Sequence, residues 1–153
     1  MLAENTVLTG RRAITRSYAK INLTLDVLSK RENGYHDIKM IMQTVSLFDL
    51  ILVDKTHRGI SISTNLPYLP CNEKNIAYKA ADAFFKATGI RGGAKIVIHK
   101  NIPVAAGLAG GSGNCAAVLT AMNMLHGNPL SNDELMHIGA SLGADVPYCF
   151  DGS

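Results

Sequence analysis

Tryptophan is absent from this sequence, and cysteine and proline are scarce, at three and five residues in 153. The cysteines, Cys71, Cys115 and Cys149, are odd in number, lie far apart and form no C-x-x-C pair. That spacing argues against a zinc site or a disulfide framework, and reduced thiols in a cytoplasmic protein are the expectation. No apolar run approaches the roughly 20 residues of a membrane-spanning helix. The opening stretch "MLAENTVLTGRRAITR" carries no apolar h-region, so no secretory signal is expected, and residues 1–16 read as a short, partly disordered lead-in. A net charge of +3 mildly favours an anionic partner, but no block of Lys and Arg marks a nucleic-acid arm. No repeat, low-complexity tract or linker divides the chain, whose length suits one domain with a core of its own.

Pattern fills the space those absences leave. In "YAKINLTLDVL", Ala19, Ile21, Leu23, Leu25 and Val27 alternate with Lys20, Asn22, Thr24 and Asp26. The period of two predicts a strand with the apolar set inward and Lys20 and Asn22 together on the other face. Asn33-Gly34 signals a hairpin turn, "DIKMIMQTVSLFDLILVDKT" a long returning strand, and "GISISTN" another strand. A helix follows from about Asn75 to a Gly89 cap, then a strand, "GAKIVIHK", and an apolar helix, "NCAAVLTAMNMLHG". "SNDELMHIGASLG" is a further helix, with Ser131 and Glu134 at capping-box spacing. Strands, helix, strand, loop and two helices argue for an α+β fold with helices covering one face of a mixed or antiparallel sheet.

The stretch "PVAAGLAGGSGNCAA", residues 103–117, packs Gly107, Gly110, Gly111 and Gly113 into seven positions. Each glycine costs conformational entropy on folding, so bare backbone is needed there. Exposed N–H groups between a strand and a helix N-terminus make an anion site, and glycines let a phosphate come close. A tight connection without a ligand is the plainer reading of a glycine pair; four glycines, a serine and an immediate helix favour phosphate. The loop does not end in Gly-Lys-Ser/Thr, so it is not a Walker A loop. Gly111, Gly113 and Ala116 fit G-x-G-x-x-A, a weak dinucleotide fingerprint. Such a fingerprint follows its strand directly, and its acidic partner ends a second strand, whereas Asp133 opens a helix. Dinucleotide binding is the minor alternative.

Written as P-x-x-x-G-L-x-G-G-S, the loop resembles that of the galactokinase–homoserine kinase–mevalonate kinase–phosphomevalonate kinase (GHMP) superfamily. "AKINL" at 19–23, "GYH" at 34–36 and "LGADVP" at 142–147 sharpen the resemblance. They point to the branch that phosphorylates a cytidyl-diphosphate sugar alcohol on the non-mevalonate route to isoprenoid precursors. The resemblance runs from about Ser17 to the end. It implies that residues 17–153 form the superfamily's N-terminal ATP-binding domain, like the second domain of ribosomal protein S5, without the C-terminal domain that closes the cleft. It implies transfer of the γ-phosphate of ATP to a substrate hydroxyl, with Mg2+.

The same resemblance makes Asp145 the base that takes the hydroxyl proton and Lys20 the charge that neutralises the attacking oxygen and the moving phosphate. It makes Pro103, Val104, Ala105, Ala106, Gly107, Leu108, Ala109, Gly110, Gly111, Ser112 and Gly113 the cradle of the ATP phosphates. Asn22, Tyr35 and His36 become substrate contacts, Tyr35 stacking on the cytosine and His36 hydrogen bonding to it. Many members carry serine at position 113; with Gly113 here, Ser112 is the remaining candidate for a Mg2+ contact. The implied partners are ATP, the cytidyl-diphosphate substrate and the absent domain, with a homodimer left open and neither nucleic acid nor membrane expected. Another superfamily kinase and an S5-like RNA-binding domain are the competing readings. His99, His126 and His137 lack metal-ligand companions and read as structural. Cys115, although near a helix start, reads as a small buried hydrophobe.

Overall fold

The computed structural model describes residues 2–30 and 36–151. Its strands are β1 Thr6–Thr9, β2 Arg12–Lys30, β3 His36–Thr56, β4 Gly59–Thr64 and β5 Gly93–His99. Its helices are α1 Ile76–Thr88, α2 Gly110–Leu125, α3 Asn132–Leu142 and α4 Val146–Asp151. The strands form one sheet in the order β1-β2-β3-β5-β4. Every pairing is antiparallel except β4 with β5, which is parallel and spanned by α1 as the crossover. This is the expected α+β architecture with a mixed sheet.

Local chemistry sets the helix limits. Asn75 caps α1 by accepting the Ala77 N–H at 2.9 Å, and Gly89 ends it in the left-handed conformation. Ser131 and Glu134 form the reciprocal capping box that starts α3. The core lies between the sheet and the helices. Ile51 and Val53 of β3, Ile96 and Ile98 of β5, Phe84 of α1, and Val118, Leu119 and Met122 of α2 are all sealed from solvent. Residues 113–123 of α2 are buried without interruption, so this helix is the hub on which α1, α3 and α4 pack.

Three expectations need correction. Over residues 2–16 the expected partly disordered lead-in is ordered structure: β1 pairs with the start of β2, Leu2 is buried, and its N–H donates to the Phe150 carbonyl at 3.1 Å. The polarity that disguised this segment is satisfied internally, because the buried Thr6 and Thr15 hydroxyls lie 2.8 Å apart and Thr6 also donates to the Leu2 carbonyl. The alternation along β2 breaks as well. Ala19 is buried, but so is Lys20, and Leu23 is 56% exposed. Register slips between Tyr18 and Lys20 and between Asn22 and Thr24 rotate the strand, so period two does not hold across them. Finally, α2 begins at Gly110, not Asn114, so three of the four loop glycines are helical. Helix α4 was not expected; Pro147 sits in its first turn, where its missing N–H costs nothing.

Candidate active site

The slip between Tyr18 and Lys20 turns Lys20 inward, leaving it 5% exposed. Its Nζ donates to Asn22 Oδ1 at 3.0 Å and stands 3.6 Å from Asp145 Oδ2. Lys20 and Asn22 therefore share a face, as their spacing predicts. The Lys20 backbone N–H also donates to the Leu108 carbonyl at 3.1 Å, which ties β2 to the glycine loop. Asp145 lies between the α3 cap Gly143 and α4, with its side chain 43% exposed. One member of the pair is thus held in the wall, while the other is open to a ligand. Tyr35 lies outside the described residues, and His36 enters only as the first backbone position of β3.

Beside this pair opens a cleft of about 480 Å³, lined by residues 103–112, by Asp145, and by an apolar wall that includes Leu69, Pro70, Ile76 and Ile98. The loop reaches it through left-handed residues: Gly107 at φ 73°, but also Ala105 at 57° and Ala109 at 56°. Alanine in that region is strained, and such strain persists where the surroundings hold it. Ala109 caps α2 without a side-chain hydrogen bond, and the first turn carries no acidic residue. The amides at the start of α2 have no capping side chain and no competing carboxylate, which leaves them for an anion.

Gly113, predicted among the phosphate contacts, faces elsewhere. A Cβ there would run into Ser17 Oγ. Positions 110 and 113 share the inner face of the helix, whereas Gly111 and Ser112 are turned outward. Gly113 instead borders a second, smaller cavity of about 330 Å³ with Ser17, Lys20 and Tyr148. A serine hydroxyl at 113 would point into that side of the molecule, so glycine there does not impoverish the cleft.

Sequence reasoning missed the residues beneath the loop. Lys100 ends β5's exit, is 8% exposed, lines the cleft and pairs with Asp49, which is fully buried. Asp49 Oδ1 accepts the backbone N–H groups of Asn101 at 2.7 Å and Ile102 at 2.8 Å. With its side-chain amide assigned so that the nitrogen faces its two neighbouring acceptors, Asn114 donates to Asp49 Oδ2 at 2.9 Å and to the Gly110 carbonyl at 3.1 Å. The available signal was Asp49 itself, a lone carboxylate inside the apolar run "SLFDLILV", since a charge there must be paired.

Cys115 and Cys149 are not reactive centres. Burial, with a smaller contribution from Cys149, pushes Cys115 up to about 12. Burial and then the Asp145 charge push Cys149 up to about 12 against an opposing pull from Lys20, and the thiol donates to the Asp145 carbonyl at 3.2 Å. Cys115 is the buried hydrophobe expected. Among the described residues no group of three or more His, Cys, Asp or Glu could hold a metal, and no helix is long and apolar enough to cross a membrane.

A mixed sheet backed by helices, a glycine loop opening α2 and a lysine–aspartate pair at its mouth define a class: the chain belongs to the GHMP kinases, whose N terminal domain family matches residues 75–153. The particular relatives are narrower. A 4-diphosphocytidyl-2-C-methyl-D-erythritol kinase of Clostridium botulinum is 52% identical over 137 residues, which cover 90% of this chain and 49% of the relative. The kinase of that name from Clostridium perfringens is 54% identical over 138 residues, 90% of this chain and 48% of the relative. A crystal structure of 4-(cytidine 5'-diphospho)-2C-methyl-D-erythritol kinase superposes with a TM-score of 0.81 at 36% identity, covering 91% of this chain and 49% of that one. The chain spans about half the length of the curated relatives it matches.

Proposed function

We propose that this chain is the nucleotide-binding and catalytic half of a kinase that transfers the γ-phosphate of ATP to a hydroxyl of 4-diphosphocytidyl-2-C-methyl-D-erythritol. The observation that carries the reading is the 3.6 Å approach of Lys20 Nζ to Asp145 Oδ2 at the edge of a cleft lined by the glycine loop. Phosphoryl transfer demands positioning and charge stabilisation more than covalent chemistry. The α2 N-terminal amides and the backbone of residues 103–112 hold the phosphates, and the apolar wall of Leu69, Pro70, Ile76 and Ile98 receives the base. Asp145 takes the proton of the attacking hydroxyl at its exposed carboxylate. Lys20, held by Asn22, stabilises charge on that oxygen and on the phosphoryl group in transit.

Mg2+ fits the donor set, because Ser112 and Asp145 line the same cleft and Mg2+ commonly takes one or two protein oxygens together with substrate phosphates. When bound, it would neutralise phosphate charge. Asn22, Tyr35 and His36 are the proposed contacts to the cytidyl-diphosphate substrate, and the three unpaired cysteines accord with a cytoplasmic setting.

Titration calorimetry with Mg2+ and a non-hydrolysable ATP analogue tests the reading. Saturable binding is expected to survive in Asp145→Asn, while phosphoryl transfer by the chain extended to its relatives' length falls by about 10²–10⁴-fold, the usual worth of a general base. CMP is expected to compete with the acceptor substrate; transfer to mevalonate or homoserine, indifferent to CMP, would replace this reading with another kinase of the superfamily.

A further inference from the structure

The buried Asp49 lies outside the catalytic pair, yet its contacts converge on the loop from two directions. One carboxylate oxygen accepts the N–H groups of Asn101 and Ile102, where the chain leaves β5 for the loop. The other receives Lys100 Nζ and, with the amide assigned so that its nitrogen faces the carboxylate, the side chain of Asn114, which lies beyond the loop in the first turns of α2. Asn114 also donates to the Gly110 carbonyl. The segment from Lys100 to Asn114 is therefore an Ω-shaped excursion whose two ends meet at one side chain. Asp49 is fully buried, Asn114 is 4% exposed and Lys100 8%, so solvent does not compete for these bonds. Charge-assisted hydrogen bonds sealed from water are among the strongest a protein makes, and removing one partner strands the others. Between the clasped ends the loop holds Ala105 and Ala109 at positive φ, a conformation it would leave if its base were free.

We infer that Asp49 and Asn114 are positioning residues of the phosphate site: they clasp the two ends of residues 100–114, hold the loop in its strained form before any ligand arrives, and fix Lys100 Nζ beneath the first turn of α2. The clasp preorganises the cradle, so the nucleotide binds without having to order it. What the cradle holds rests on the reading given above; the clasp itself does not.

Hydrogen exchange on this chain without ligand, together with calorimetry using Mg2+ and a non-hydrolysable ATP analogue, tests the inference. In Asn114→Ala, amides of residues 101–110 are expected to exchange about tenfold faster or more, with β3 and β5 unchanged, and analogue affinity to fall about tenfold, as for the loss of one buried charge-assisted bond. Asp49→Asn, which keeps the size and loses the charge on Lys100, is expected to do more. Asn123→Ala is the control. It removes a buried amide near the end of α2 that exchanges two hydrogen bonds with the Leu130 backbone beyond the helix, and it should lower the melting temperature without touching the loop or the affinity. Loop exchange or affinity within about twofold of wild type in folded Asn114→Ala overturns the clasp. If Asp49→Asn does not fold, Asn114→Ala decides alone. If wild type binds no analogue, the nucleotide reading fails, and the exchange pattern still decides whether the loop is clasped.

Discussion

Gly110 and Gly113 stand on one helical face three residues apart, yet an added methyl meets different neighbours at each. At Gly110 it would lie 2.9 Å from Lys100 Nζ and 3.0 Å from Ile102 Cγ2. Lys100 is held by Asp49 and cannot swing away without breaking a buried pair. Gly110→Ala is expected to destabilise the chain by about 1–3 kcal/mol, as overpacking does, and to weaken nucleotide binding. At Gly113 the obstacle is Ser17 Oγ, which has no hydrogen-bond partner among the described residues and borders a cavity into which it can rotate. Alanine also favours helix over glycine by up to about 1 kcal/mol. Gly113→Ala is therefore expected within about 1 kcal/mol of wild type, with unchanged nucleotide affinity. Denaturant unfolding of the two variants checks both; equal losses would mean the glycines are needed for backbone freedom, not for separate contacts.

Among the elements, α3 and α4 meet at Gly139, where a Cβ would lie 2.7 Å from Val146 Cγ1 and 2.9 Å from Phe150 Cε2. Both neighbours are packed and rigid, and α4 supports Asp145. Gly139→Ala is expected to cost about 1–3 kcal/mol and to reduce transfer more than nucleotide binding, because it moves the base and not the loop. A variant with wild-type stability would show that α4 yields freely. The contact of α1 with α2 carries a different signature. The His126 ring packs against Phe84 and Phe85, with centroids 5.2 and 6.0 Å away, and its Nδ1 lies 2.8 Å from the Met122 carbonyl. Burial holds this imidazole below histidine's ordinary value, with Lys55 adding to the effect and the Met122 bond opposing it. The unfolded chain then binds the proton more readily than the folded one, so this contribution is full above about pH 6.5 and is lost as pH falls through the lower folded value. Melting temperatures between pH 7.5 and 5 are expected to fall more steeply for wild type than for His126→Phe; parallel profiles would exclude His126 as the source.

At the scale of the molecule, the sheet brings Lys20 from its second strand to within 3.6 Å of Asp145 after its third helix, and Asp145 lines the open cleft. The arm of β2 and β3 exposes Leu23 at 56%, Met40 at 37% and Ile41 at 53%. The relatives carry as much chain again. The chain by itself is expected to bind nucleotide yet turn over far more slowly than a version extended to the relatives' length, because an open cleft leaves water at the transferring phosphate and the acceptor poorly held. Comparing single-turnover rates of the two forms checks this; equal rates would mean that the half-length chain forms a complete site.

Much of this was legible in the residues themselves. Capping chemistry at Asn75, Gly89, Ser131 and Glu134 is local, so the helix limits it sets could be read directly. The glycine loop and the "AKINL" and "LGADVP" stretches are contiguous, and the family resemblance they carry is what made Lys20 and Asp145 candidates. What only the tertiary structure decided lies where distant segments compete for one space. Register slips in β2 buried Lys20 and exposed Leu23, against the alternation of their own strand. The inner face of α2 turned Gly113 to Ser17 and away from the cleft. Asp49 became a clasp only because four donors from both ends of a loop arrive at its one buried carboxylate, and no periodicity within "SLFDLILV" encodes where those donors come from. Hydrogen bonds within a turn are fixed by neighbours in sequence, whereas burial and pairing of a charge depend on which surfaces the fold presses together.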